Sequence, residues 1–147
     1  MDTVQVKIIN HSNNPLPEYI TNGASGMDLR ANLPDPVLLH PMERRMIPTG
    51  MFIQLPEGYE GQVRPRSGLA IKQGITCLNS PGTIDADYRG ELKVILINLS
   101  GEAQVINHGD RIAQLVLGTV HHATWELVQQ LNETKRGEGG FGHTGIH

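Results

Sequence analysis

Leu92-Lys-Val-Ile-Leu-Ile-Asn98 is a long apolar run that contains one charged residue. Aliphatic and β-branched side chains favour strands, and a nearly continuous run of them predicts a strand that is buried on both faces. Proline, glycine, asparagine and aspartate, the usual turn residues, separate this run from shorter ones on either side. Many short strands with regular turns predict an all-β fold, a distorted jelly roll or β-sandwich. The shorter runs are Val4–Ile8, Phe52–Leu55, Gln62–Arg64, Ile112–Leu117 and Thr124–Val128.

One short helix and a C-terminal tail complete the predicted fold. Residues Ser67–Gln73 are the one good helix candidate, and Ser67 is a candidate cap for the first turn. The length of 147 residues suits a single domain. We place its core at residues 1–132 and a flexible, glycine-rich segment at residues 133–147, since composition changes there. Trp125, the only tryptophan, is expected in the core.

Composition argues against several classes of protein. The formal net charge is −3, from 12 basic and 15 acidic residues, whereas a general binder of nucleic acid or membranes would carry a basic surplus. The sequence contains no signal-peptide pattern and no apolar run long enough to span a membrane. Cys77 is the only cysteine, which excludes an intrachain disulfide and suits the reducing cytoplasm. Because aromatic content is only 4%, a lone core would be thin, and we expect further burial through oligomerisation.

The C-terminal stretch Arg136-Gly-Glu-Gly-Gly-Phe-Gly-His-Thr-Gly145 has too little side-chain volume to pack a core. It is therefore either a disordered tail or a segment that orders against a ligand. Its backbone N–H groups and Arg136 suit phosphate oxygens, and Phe141 suits stacking on a flat ring. The stretch also matches the dinucleotide fingerprint and nearly matches a Walker loop, but both motifs need a strand before them and a helix after them.

Two further segments carry reactive side chains. Asp85-Ala-Asp-Tyr-Arg-Gly90 is predicted to form the tip of a hairpin, where a carboxylate can act as a general base toward water. An ordinary polar turn is the alternative, and it is favoured when this segment is taken alone. Arg66-Ser-Gly68 opens the predicted helix, where it suits either an anion-binding site or a simple helix start.

Two polar side chains are predicted within strands, where each needs a partner. Asp28 lies between Met27 and Leu29, and its partner is either a metal-bound water or an arginine. The residues alone favour the arginine. Gln114 shares a strand face with Ile112, so it must form a hydrogen bond, and a structural role is favoured.

Taken together and in order, five segments of this chain resemble the five motifs of the trimeric deoxyuridine triphosphate nucleotidohydrolases (dUTPases). The one departure is the order Ala24-Ser25, which is reversed from the commoner pattern. The resemblance implies a jelly-roll homotrimer with active sites shared between subunits. It implies hydrolysis of dUTP to dUMP and pyrophosphate with Mg²⁺, which lowers dUTP and supplies dUMP for dTMP synthesis. The segments are Ala24–Ala31, Pro65–Ala70, Gly82–Glu91, Gly109–Leu115 and Arg136–Gly145.

The resemblance also implies roles for single residues. Asp85 would activate the water that attacks the α-phosphorus. Tyr88 would lie under the deoxyribose and leave no room for a 2′-hydroxyl. Asn79 would contact uracil, and the backbone of Thr83, Ile84 and Asp85 would border the nucleoside.

For the triphosphate, the resemblance implies a second set of contacts. Asp28 would act on magnesium indirectly, through a metal-bound water, and Lys93 would border the substrate. The phosphate contacts would be Arg66, Ser67, Gly68 and Gln114. The lid that closes over the nucleotide would use Arg136, Phe141, Gly142 and Thr144.

Two other functions fit the same fold. A dCTP deaminase-like enzyme would share the architecture but use a different acid–base residue. A non-catalytic regulatory trimer would bind dUTP without turnover, and it would not need the carboxylate of Asp85. Ammonia release from dCTP, or binding of dUTP without pyrophosphate release, would distinguish these functions from a dUTPase.

Overall fold

The computed structural model describes residues 1–146, which form ten strands and one short helix. All strand pairs in these residues are antiparallel. In chain order the elements are β1 Lys7–Asn10, β2 Gly26–Arg30, β3 Val37–Leu39, β4 Arg44–Gln54, β5 Tyr59–Arg64, α1 Ser67–Gln73, β6 Ile75–Cys77, β7 Gly82–Ile84, β8 Glu91–Asn98, β9 Gln104–Ile106 and β10 Arg111–Thr119.

The strands form two four-stranded sheets and one two-stranded sheet. The first sheet has the order β1-β4-β8-β6 and the second β2-β10-β5-β7, while β3 pairs with β9. Side chains of both large sheets share one apolar core, to which β8 contributes Leu92, Val94 and Leu96 and the second sheet Leu29 and Leu115. The predicted all-β sandwich of jelly-roll type with one short helix is confirmed.

Strand β8 differs in part from its prediction. Leu96, Ile97 and Asn98 are all buried, so this half of the strand is covered on both faces, as expected. In the first half only Leu92 and Val94 are buried, and Lys93 is exposed. The alternation arises because the outer face of this half borders an open cavity, described below.

Strand β4 contains a bulge that holds the start of β8. The register of the β4–β8 pair shifts between Pro48 and Phe52. Within the bulge, the Thr49 hydroxyl donates to the carbonyl oxygen of Leu92 at 2.6 Å, and the Gly50 N–H donates to Oε2 of Glu91 at 2.9 Å. Glu91 is thereby fixed through its side chain at the first position of β8.

The prediction of a strand at Thr124–Val128 is wrong. The last strand ends at Thr119, and residues 120–146 contain neither helix nor strand. Both sides of β10 are already occupied, by β2 and β5, so the following segment finds no strand to pair with. Trp125 is 93% exposed, and its expected place in the core is also wrong for the single chain.

Helix α1 has the predicted bounds but not the predicted cap. Arg66 occupies the N-cap position, and no side chain caps the helix, because Ser67 is already its first helical residue.

Within residues 1–146 no helix combines the length and the apolar character that crossing a membrane requires. The one cysteine, Cys77, is buried in β6, and burial raises the pKa of its thiol to about 11.

Candidate active site

A cavity of about 310 Å³ lies between the two large sheets, around β7 and the first half of β8. Six residues that the sequence singled out line it, together with Met46, Val63, Gly82, Glu91 and Ile95. The six are Asn79, Thr83, Ile84, Asp85, Tyr88 and Lys93.

The segment Asp85–Gly90 crosses from one sheet to the other. It follows β7, which pairs with β5 in the second sheet, and it leads into β8, which lies in the first sheet. The prediction of a simple hairpin is therefore wrong, because β7 and β8 each pair with other strands. The crossing leaves the cavity open between the two sheets, with Asp85 at its rim.

The edge of β7 faces solvent-accessible space. Strand β7 pairs with β5 on one side and is the last strand of its sheet. Backbone N–H and C=O groups along such an edge have no partner strand. The amide of Asn79 packs against Gly82 at the start of this edge. The edge of β7 and the Asn79 amide together present hydrogen-bond donors and acceptors in a fixed pattern that suits a planar ligand.

Tyr88 is held over the crossing segment by two hydrogen bonds. Its N–H donates to the carbonyl oxygen of Asp85 at 3.1 Å, and its hydroxyl donates to the carbonyl oxygen of Glu91 at 2.9 Å. The Asp85 side chain is exposed, and none of the ion pairs formed by residues 1–146 involves it. Its carboxylate is therefore open to a water or a ligand.

A second cluster joins β2, β10 and the start of α1. Nε of Arg66 donates to Oδ1 of Asp28 at 2.9 Å, and Nη1 of Arg111 lies 3.4 Å from Oδ2. Arg66 also donates to the carbonyl oxygen of Arg111 at 3.2 Å. An arginine was the expected partner of Asp28 on the residues alone, and that prediction is confirmed. The two guanidinium groups make this a positively charged corner of the surface.

Gln114 lies beside this cluster, because it pairs in register with both Asp28 and Arg64. Its amide donates to the carbonyl oxygen of Pro65 at 3.0 Å. The favoured structural role is thus confirmed, since the bond fixes the peptide that leads into Arg66.

The tail lies apart from both groups. Phe141 is fully exposed, and the hydrogen bonds of Arg136 found in the described chain are local, including one from its Nε to the carbonyl oxygen of Gly139 at 2.6 Å. Gly142 and Thr144 are exposed as well. One chain therefore places the predicted site residues in three locations: the cavity, the Asp28 cluster and the tail.

Comparison of the sequence with known proteins identifies the family of this chain. The sequence pattern of the dUTPases matches residues 12–145. The chain belongs to the dUTPase family. A deoxyuridine 5'-triphosphate nucleotidohydrolase of Cytophaga hutchinsonii is 57% identical over 143 residues, which cover 97% of this chain and 93% of that protein.

Solved structures of phage dUTPases have the same fold. The dUTPase of Staphylococcus bacteriophage 80alpha, solved with dUpNHpp, has a TM-score of 0.83 at 26% identity, covering 98% of this chain and 100% of that one. A mutant dUTPase of phage phi11 of S. aureus has a TM-score of 0.73 at 27% identity, covering 88% and 98%. That structure describes the coordination of a structural Mg(II) ion.

Two residues of this dUTPase site were not singled out from the sequence. Arg111 binds Asp28 from β10, which lies beside β2 in the second sheet although the two strands are far apart in the chain. Glu91 lines the cavity and its carbonyl oxygen accepts the Tyr88 hydroxyl, whereas the sequence named it only as the last residue of the segment Gly82–Glu91. The role of Arg111 depends on the pairing of β10 with β2, and the place of Glu91 depends on the β4 bulge that binds its carboxylate. A local sequence pattern contains neither contact.

Proposed function

We propose that this chain hydrolyses dUTP to dUMP and pyrophosphate by attack of water at the α-phosphorus. The observation that carries the proposal is the cavity in which a free carboxylate, Asp85, lies beside an aromatic side chain, Tyr88, and the open edge of β7. The family membership of the chain supports the same reaction.

The edge of β7 suits recognition of uracil. Uracil and cytosine differ in their donors and acceptors at position 4, so a backbone edge that pairs with uracil leaves polar groups unpaired against cytosine. Such mismatches lower kcat/KM by about 10⁴-fold or more. We assign base recognition to Asn79 and to the backbone of residues 83–85, and contact with the sugar to Tyr88. Lys93 borders the nucleotide from the opposite sheet.

The attack itself needs a base and compensation of phosphate charge. Asp85 is free to take the proton of the attacking water, a contribution of about 10²–10⁴-fold. Phosphoryl transfer depends mainly on positioning and electrostatic stabilisation. Arg66, Ser67 and Gly68 would supply these, with Gln114 holding the peptide before Arg66.

The residues present suit a magnesium ion held mainly by the substrate. Mg²⁺ prefers oxygen ligands, keeps several waters and binds through substrate phosphates, where it neutralises charge. Asp28 is the carboxylate at the phosphate side, and both of its oxygens are already engaged by arginines. This suits contact with a metal-bound water better than direct ligation.

A homotrimer with shared active sites would explain why the predicted site residues lie in three separate places within one chain. The segment that follows β10 exposes three large apolar side chains, Trp125, Leu127 and Leu131, by 93%, 99% and 86%. Such side chains favour burial against another copy of the chain. We therefore propose that residues 133–147 form a lid, beyond a core of residues 1–132; residue 147 lies outside the described part of the chain. The lid brings Arg136, Phe141, Gly142 and Thr144 over a nucleotide bound elsewhere in the trimer.

The free thiol of Cys77 suits a cytoplasmic location, and the net charge of −3 suits a small-molecule substrate rather than nucleic acid or a membrane. In that compartment the reaction would lower dUTP and supply dUMP for dTMP synthesis.

Replacement of the proposed base tests the reaction directly. Asp85→Asn should lower kcat for pyrophosphate release from dUTP by about a hundredfold or more, because the amide cannot accept the proton. Affinity for dUTP should be retained. Asp87→Asn is the matched control, since Asp87 is exposed in the same segment but does not line the cavity. Wild-type turnover by Asp85→Asn would remove Asp85 from the mechanism.

The substrate assay should cover dUTP, dTTP, dCTP and UTP. Pyrophosphate release confined to dUTP is the expected result. Ammonia release from dCTP would instead indicate a deaminase, and tight binding of dUTP without products would indicate a regulatory protein.

A further inference from the structure

We propose that Gly90 is a positioning residue for Tyr88 and thereby sets the discrimination between deoxyribose and ribose. The inference rests on the proposed contact of Tyr88 with the sugar. Gly90 would not contact the substrate. It would act on selectivity because its missing side chain leaves room for the Tyr88 ring.

The ring of Tyr88 folds back over the backbone of Gly90. A methyl group built on the Cα of Gly90 would overlap with the Tyr88 hydroxyl and with two carbon atoms of the ring. Real Cβ atoms do not approach other heavy atoms so closely, so any larger residue at position 90 must move the ring. The observed place of Tyr88 is therefore available only above a glycine.

The φ angle does not explain a glycine at this position. The φ angle of Gly90 lies outside the left-handed region, unlike those of Gly58 and Gly109, which are 88° and 84°. A φ angle outside that region does not by itself require glycine. What position 90 requires is space for the neighbouring ring.

The far end of the ring is fixed as well. The Tyr88 hydroxyl donates to the carbonyl oxygen of Glu91 at 2.9 Å. Glu91 is held in turn, because its carboxylate accepts the N–H of Gly50 at 2.9 Å in the β4 bulge. The ring thus lies between the Gly90 backbone and an anchored acceptor, and it contributes one wall of the cavity.

Displacement of the ring changes the space beside the sugar. A ring pushed into the cavity would obstruct both nucleotides and lower kcat/KM for each. A ring pushed outward opens the space that a 2′-hydroxyl needs, so UTP gains. We therefore expect Gly90→Ala to lower the ratio of kcat/KM for dUTP to that for UTP by about tenfold or more, since small misplacements near a reacting group have large effects on rate.

The experiment measures kcat and KM for dUTP and UTP in wild type, Gly90→Ala, Tyr88→Ala and Gly101→Ala. Gly101 is the matched control, because an added methyl group meets no atom within 4 Å there and its φ is also outside the left-handed region. Gly101→Ala should keep the wild-type ratio. An unchanged ratio in Tyr88→Ala would refute the proposed contact with the sugar. A lowered ratio in Tyr88→Ala with a wild-type ratio in Gly90→Ala would refute the inference about Gly90 alone.

A double-mutant cycle keeps the test decisive if Gly90→Ala lowers stability. Once the ring has been removed by Tyr88→Ala, the methyl group at position 90 has nothing to displace. Adding Gly90→Ala to that variant should then neither lower the unfolding midpoint nor change the substrate ratio. Equal destabilisation by Gly90→Ala in both backgrounds would show that the ring is not what the methyl group displaces, and would overturn the proposal.

Discussion

At the scale of single residues, Asn98 is fully buried and yet all of its side-chain polar atoms are bonded. Its Nδ2 donates to the carbonyl oxygens of Leu39 at 2.9 Å and Glu102 at 2.8 Å. Its Oδ1 accepts the backbone N–H of Ser100 at 2.9 Å and the Ser100 hydroxyl at 2.7 Å. One amide therefore ties the end of β8 to β3 and to the turn that follows β8.

Removal of this amide should be among the more destabilising single changes in the chain. Asn98→Ala leaves the buried carbonyl oxygen of Leu39 without its amide donor and the N–H of Ser100 without its acceptor, and each such group costs about 1–3 kcal/mol. We expect the free energy of unfolding to fall by about 3 kcal/mol or more, measured by urea denaturation. Ser100→Ala is the control, expected to lose about 1 kcal/mol, because both donors of Asn98 keep their partners. Equal losses in the two variants would contradict this account.

At the scale of elements, the turn before β4 contains an unfavourable residue. The N–H of Glu43 donates to the carbonyl oxygen of His40 at 3.0 Å, which closes a turn with Pro41 second and Met42 third. The φ of Met42 is 66°, as a type II turn requires at its third position, where glycine is usual. The Met42 side chain is 70% exposed, so its burial offsets little of the steric cost of this conformation.

Substitution at this turn should therefore raise stability. Met42→Gly removes a steric cost of about 1–2 kcal/mol, partly offset by the greater freedom of glycine in the unfolded chain, about 0.4–1 kcal/mol. We expect a gain of up to about 1 kcal/mol in the free energy of unfolding, seen as a higher thermal midpoint. Met42→Ala keeps a Cβ at the same φ and should show no such gain. A comparable gain with alanine would place the effect in the exposed side chain instead.

Sequence patterns predicted α1 and β8 well, but for β4, which spans Arg44–Gln54, they predicted only the C-terminal end, at Phe52–Leu55. Helix α1 has its expected bounds, and β8 begins one residue before its predicted start. Strands β3, β6 and β9 were not predicted, because three residues are too few to show a period of two. Thr124–Val128 shows the pattern of a strand but has no neighbour in the chain to pair with. The types of residue in the site were predictable, whereas the crossing of Asp85–Gly90 between sheets depends on long-range pairing.

At the scale of the whole molecule, the separation of the tail from the cavity leads to a prediction about mixed oligomers. Subunits with Asp85→Asn keep an intact tail, and subunits truncated after Glu133 keep an intact Asp85. If sites are shared, mixing the two inactive variants should restore part of the wild-type turnover of dUTP, because some sites combine both intact parts. Each variant alone is the control. No recovery despite proven exchange of subunits would indicate self-contained sites.

The crossing of Asp85–Gly90 between the two sheets has a mechanical consequence. The segment is short, and each of its ends is anchored in a different layer of the sandwich. A change in the distance between the two sheets would therefore move the segment Asp85–Gly90, which carries the proposed base. Substitutions of buried side chains such as Leu96 and Leu115 are therefore expected to change turnover, even though those side chains do not line the cavity. Selection on catalysis would then reach into the apolar interior of the molecule.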